Sequence, residues 1–145
     1  PEFIYSQYDV IIDGLVLEWD PSEDTDIDFY EIHRNEEIIG QSSHLSYIDY
    51  SAVYTETYDY QVYVFDHYQN QSQSEVFTAI SGIVGDVYAD QMLNVVDIVN
   101  IINIIFETMD PTDYQSWAAD MNQDQLINVL DVVHLVAEIL IIAAR

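Results

Sequence analysis

Apolar positions alternate with polar ones through the first half of the chain and gather into helical blocks in the second. Leu15-Val16-Leu17-Glu18-Trp19 reads as a strand ending at Asp20-Pro21, and Ser22 to Asp26 as an acidic loop. Phe29 to Arg34 reads as a second strand turning at Asn35-Glu36, Glu37 to Gly40 as a short third, and Leu45 to Asp49 as a fourth. Tyr58, Tyr60, Val62 and Val64 share one face of a fifth strand by strict period two. Gln69 to Gln73 reads as a polar turn and Glu75 to Ile80 as a last strand. Short strands at this spacing predict a sandwich or a barrel. After Ser81-Gly82 the pattern changes: Asp-rich loops feed two apolar helices, Ile98 to about Phe106 and Val132 to about Ala144. The expected division is therefore residues 1–81 and 82–145, an all-β sandwich followed by a small all-α domain.

The helical part carries an internal repeat. Gly85 to Asp97 aligns with Ala119 to Asp131 at an offset of 34 residues. Counted from the first Asp of each loop, carboxylates fall at positions 1, 5 and 12 and an Asn at 9; the second loop adds an Asn at 3. This is the register of an EF-hand-type calcium loop. Calcium is a hard cation that takes six to eight oxygens at roughly 2.3–2.6 Å, and alternate side chains of a tight loop converge on one centre. The first candidate site is Asp86, Asp90, the Met92 carbonyl, Asn94 and Asp97. The second is Asp120, Asn122, Asp124, the Leu126 carbonyl, Asn128 and Asp131. The second is expected to bind more strongly, because the first has Tyr88 where the second has Asn122. Position 6, where Gly supports positive φ, is Gln91 in one loop and Gln125 in the other. The competing reading is that these acids serve only as helix caps and turn formers. Two loops in one register, each leading into an apolar helix, favour the metal.

Charge sharpens this picture. The chain has 27 acidic residues against two basic ones, Arg34 and Arg145, for a formal net charge of −25. Nucleic acid needs a Lys/Arg footprint that is missing, and anionic membrane surfaces would repel the chain. Divalent cations would be attracted, although solubility in a salty medium accounts for part of the acidity. There is no Cys, which removes disulfides, thiolate metal sites and Cys catalysis. No signal peptide is evident at Pro1. The longest charge-free run of the second half, Ile98 to Phe106, is nine residues, against the ~20 that a membrane span needs. His33, His44 and His67 show no triad pattern, and the paired acids Asp24 and Asp26 lie in a loop without an aromatic platform, so catalysis is not expected.

Two resemblances follow from these residues. Leu17-Glu18-Trp19-Asp20-Pro21, Tyr30-Glu31-Ile32 and Tyr58-Asp59-Tyr60-Gln61-Val62 resemble a fibronectin type III domain, an immunoglobulin-like sandwich, over roughly residues 1–80. The resemblance implies a core role for Trp19 and a tyrosine-corner role for Tyr58, and no active site. Residues 83–142 resemble a dockerin: two loop–helix units with Asp at position 12 and no helix before the loop. That resemblance implies two calcium ions and a cohesin partner bound by the helix faces. The small hydroxyl residues that often make this contact at positions 10 and 11 are here Val95-Val96 and Val129-Leu130.

The helices are more apolar than mutual packing requires, and the C-terminal run Ile139-Leu140-Ile141-Ile142 is a candidate interface. Either the sandwich covers it or a partner does: a cohesin-like domain, or another copy of the chain in a homo-oligomer or filament. The expectation is a non-catalytic, extracellular or cell-surface calcium-binding structural or interaction module. The alternative is the anchoring fragment of a larger secreted enzyme.

Overall fold

The computed structural model describes residues 1–145, which divide into two compact units, Pro1–Ser81 and Gly82–Arg145. The first unit holds eight strands: β1 (Phe3–Asp9), β2 (Gly14–Trp19), β3 (Ile27–Arg34), β4 (Glu37–Ser42), β5 (Ser46–Asp49), β6 (Thr57–Asp66), β7 (Gln71–Gln73) and β8 (Phe77–Ile80). They form two antiparallel sheets. One runs β1-β2-β5; the other runs β4-β3-β6-β7, with β8 pairing the opposite end of β6 from β7. The alternating inward residues of β2, β3 and β6 make the core: Leu15, Leu17 and Trp19 from one sheet meet Tyr30, Ile32, Tyr60, Val62 and Val64 from the other. The unit is a β-sandwich.

Strand β1 was not legible in the alternation. Its burial is irregular, and only Tyr8 is fully buried. The stretch read as a polar turn is in part strand β7: Gln71–Gln73 are exposed, and backbone pairing to β6 holds them instead of a hydrophobic face. Trp19 is 1% exposed. The Tyr58 hydroxyl accepts a 2.9 Å bond from the Val53 N–H, five residues upstream.

A polar clamp joins the two sheets. Asp49 ends β5 and is 2% exposed. Its carboxylate accepts from Arg34 Nη1 on β3 (2.8 Å), the Tyr60 hydroxyl on β6 (2.8 Å), and the Ser51 N–H (3.0 Å) and hydroxyl (2.7 Å). The Arg34 guanidinium also lies 4.8 Å from the centroid of the Tyr58 ring. Burial opposes the Asp49 charge, but the bonds from Ser51, Tyr60 and Arg34 outweigh it and hold the carboxyl below its usual range. Arg34 is the one Lys or Arg in this unit, and it is spent here.

The second unit holds α1 (Val95–Ile105), α2 (Asp113–Ala119) and α3 (Val129–Ala143). Helices α1 and α3 start three residues earlier than the apolar blocks predict. Asn94 and Asn128 are their N-caps, and Asp97 and Asp131 close capping boxes at the third helical position. Helix α2 was not anticipated. Thr112 caps it and Tyr114, Ala118 and Ala119 are buried, a pattern too short to register as a period. The core of this unit is small: Val87, Ile101, Tyr114, Ala118, Ala119 and Leu135. Gly85 has a φ of +99°, and an added Cβ would lie 3.0 Å from Leu135 Cδ1 of α3, so a side chain at this position would be strained.

Asp49→Ala leaves the buried Tyr60 hydroxyl without its acceptor and the Arg34 guanidinium with Ser51 Oγ (2.9 Å) in place of a carboxylate. The expected cost to the sandwich transition is about 3–5 kcal/mol, measured by urea unfolding at pH 7. Because the folded Asp49 pKa is depressed, its contribution is complete above the ordinary value of 3.8 and disappears as pH falls through the lower folded value. The gap between wild type and Asp49→Ala should therefore narrow in acid.

Candidate metal centre

Both loops are built on the same hydrogen bonds, repeated at the 34-residue offset. The opening carboxylate binds the backbone ahead of it. Asp86 accepts from Asp90 N (3.1 Å) and Gln91 N (2.7 Å), and Asp120 from Asp124 N (3.2 Å) and Gln125 N (2.9 Å). The position-5 carboxylate binds two residues on: Asp90 accepts from Met92 N (3.0 Å) and Asp124 from Leu126 N (2.9 Å). The closing carboxylate reaches back. Asp97 accepts from Tyr88 N (3.0 Å) and Asn94 N (2.9 Å); Asp131 accepts from Met121 N (2.9 Å), Asn122 N (3.4 Å) and Asn128 N (2.8 Å). The Asn94 and Asn128 side chains accept from Val96 N and Leu130 N as helix caps.

Capping and turn formation thus account for many of these bonds. They do not account for the burial. Asp86, Asp97 and Asp131 are each 0% exposed, and the only Lys or Arg in the unit is Arg145, its last residue. Burial pushes the Asp97 carboxyl up, its two N–H bonds oppose the push, and the charges of Asp86 and Asp90 add to it. Fully buried carboxylates in a unit with one Lys or Arg, one of them, Asp97, repelled by Asp86 and Asp90, fit a bound cation, and an all-oxygen set of carboxylates, amides and carbonyls fits a hard divalent ion. No group of three or more Asp, Glu, His or Cys side chains is placed to hold an ion on its own. The predicted set also draws on amide oxygens and the Met92 and Leu126 carbonyls. The side chains of those two residues point outward, 60% and 63% exposed.

The loops differ at position 3. The Asn122 side chain folds into its loop, donating to Asp124 Oδ2 (3.1 Å) and accepting from Asp124 N (3.2 Å). Tyr88 contributes its N–H to Asp97, and its ring is 60% exposed. Position 6 has positive φ in both loops, +66° at Gln91 and +67° at Gln125, and so does position 4, at Ala89 (+61°) and Gln123 (+56°).

The run Ile139–Ile142 does not form one face, because successive helical residues point about 100° apart. Leu140, Ile141 and Ile142 are 65%, 50% and 45% exposed, while Ile139 is half-buried. The more continuous exposed apolar surface, Val129, Val133, Val136 and Leu140, was missed because only the consecutive run was read. Among residues weighed for catalysis, His33 pairs with Glu31 within one strand (2.9 Å) and His67 lies 3.5 Å from Asp28. Asp24 and Asp26 are exposed.

No protein-family model matches the chain, and no curated protein matches it. Four solved chains do. The spore cortex lytic enzyme SleM of Clostridium perfringens is 11% identical with a TM-score of 0.43, the match covering 55% of this chain and 28% of that one. A beta-1,2-glucanase from Parabacteroides distasonis is 15% identical with a TM-score of 0.44, over 71% of this chain and 14% of that one. The chain therefore spans less than a third of either protein, and likenesses at these scores carry no argument about activity. No helix is long and apolar enough to cross a membrane.

Replacing Gln91 and Gln125 by Gly removes a side chain from a left-handed backbone, a conformation that costs an L-residue roughly 1–2 kcal/mol, partly offset by glycine's greater unfolded-state entropy. The double variant should raise the unfolding midpoint of the helical unit and leave that of the sandwich unchanged, as read by scanning calorimetry.

Proposed function

We propose that this chain is a non-catalytic calcium-binding module of the cell exterior, a fibronectin type III-like sandwich followed by a dockerin-like pair of calcium loops, whose role is structural or adhesive. The observation that carries the reading is the duplicated loop: the same carboxylate-to-backbone bonds at positions 1, 5 and 12, with Asp86, Asp97 and Asp131 fully buried. In each loop the ion would be held by those carboxylates with Asn94 or Asn128 and the Met92 or Leu126 carbonyl, and in the second loop also by Asn122. Its chemistry is cross-linking. The core of the helical unit is small, and a divalent ion supplies stability that apolar burial does not. For the sandwich, the strand orders β1-β2-β5 and β4-β3-β6 and the Tyr58 hydroxyl bond support the fibronectin-like reading.

A second reading, an anchor for a separate cohesin-like partner, draws support from the exposure of Val95, Val96, Val129 and Leu130 at positions 10 and 11 of the two loops (64%, 40%, 65% and 52%). A monomer that captures a separate protein through these residues would favour it.

Calorimetry with saturating calcium and with excess chelator tests the proposal. Calcium should raise the melting temperature of the helical unit by more than 10 °C and leave the sandwich in place, whereas a melt indifferent to chelator refutes it. In a calcium titration, Asp120→Ala should abolish the tighter of two binding events. Tyr88→Asn should tighten the weaker one, because it restores an oxygen at position 3.

A further inference from the structure

One asparagine of the chain heads an acceptor triplet for N-linked sugar. Asn70-Gln71-Ser72 has a hydroxyl residue two positions on and no Pro between. Every other Asn is followed at that distance by an acid or an aliphatic residue. The fold sets this triplet in the open. Asn70 lies in the hairpin between β6 and β7 and is exposed, and so are Gln71, Ser72 and Gln73 of β7, the outer strand of its sheet. The hairpin is tight: Gln69 N donates to Asp66 O (3.1 Å), Asp66 N donates to Asn70 O (3.1 Å), and Gln69 has a φ of +68°. A hairpin at a sheet edge can enter an enzyme's cleft with the core undisturbed.

The fold uses only part of the Asn70 amide. The Asp66 carboxylate accepts from Tyr68 N (2.8 Å), Asn70 N (2.8 Å) and Asn70 Nδ2 (2.6 Å). The Nδ2 group carries two protons, so a sugar carbon in place of one leaves an N–H for Asp66. Tyr68, on the same loop, is 80% exposed, an aromatic face that the C–H side of a first sugar can cover. The edge itself gains from such a cover. Strand β7 reads Gln-Ser-Gln, without charge or Pro, and its outward backbone groups are open to another strand. A bulky hydrophilic group at the residue before it blocks that pairing.

We propose that Asn70 is a glycosylation site that accepts an oligosaccharide through Nδ2. The inference rests on the cell-exterior reading, because the chain must cross a membrane to meet the donor. The donor class is an oligosaccharide carried on a polyprenyl phosphate or diphosphate. The bond from Nδ2 to the anomeric carbon forms as the bond from that carbon to the phosphate oxygen breaks. The lipid phosphate leaves with the electron pair, Nδ2 gives up one proton to a base of the transferase, and nothing is oxidised or reduced.

The test is mass spectrometry of the chain recovered from its native cells, after division into surface, membrane and cytosolic fractions. Cleavage after Glu isolates Thr57–Glu75, which holds the whole triplet. In the surface fraction this peptide should carry hexose or N-acetylhexosamine, and electron-transfer fragmentation should place it on Asn70 in most copies. Ser72→Ala, expressed in the same cells, keeps Asn70 and its bonds to Asp66 and should lose the sugar entirely, with the sandwich melting as in wild type. Ser72→Thr should keep it. A surface chain with bare Asn70 overturns the proposal, as does sugar that persists in Ser72→Ala or sits on another residue of the peptide. A chain confined to the cytosol refutes the cell-exterior reading, and this proposal with it.

Discussion

Negative charge buried in a unit that has a single Lys or Arg is the constraint on which the helical unit depends. Its three fully buried polar residues other than Ser and Thr are all Asp: Asp86, Asp97 and Asp131. Backbone N–H groups satisfy their lone pairs but do not neutralise them, and the repulsion of Asp86 and Asp90 felt by Asp97 records what is left over. The sandwich meets the same problem once, at Asp49, and solves it with Arg34. The helical unit has only its terminal Arg145 as a Lys or Arg, and the calcium proposal supplies balancing charge from outside the chain.

The loops also decide where the helices begin. Asn94 and Asn128 belong to the loops by position and to the helices as N-caps, and Asp97 and Asp131 close both the capping boxes and the proposed metal sites. One side chain therefore serves two ends. The first turn of each helix places the closing carboxylate, and that carboxylate's bonds back to Tyr88, or to Met121 and Asn122, fix the loop. This coupling explains why the helical reading that began at Ile98 and Val132 was three residues short: the first turns, Val95-Val96-Asp97 and Val129-Leu130-Asp131, fall within the loop register and were counted with the loops.

Legibility followed the physics of each element. The strands β2, β3 and β6 alternate because one face is buried, so Leu15, Leu17, Tyr60 and Val62 announced themselves. Strand β7 exists through backbone pairing alone, with Gln71–Gln73 exposed, and nothing in side-chain chemistry marks such an edge. The carboxylate register of the loops was plain from spacing. So was the need for positive φ at position 6, which the backbone adopts at Gln91 and Gln125 despite the absence of glycine. The inter-sheet clamp was not legible, because Asp49, Arg34 and Tyr60 are far apart in sequence and have no shared period. The exposed apolar line Val129, Val133, Val136 and Leu140 was in the sequence throughout, but it emerges only when α3 is read from Val129 and the residues are taken four and three apart.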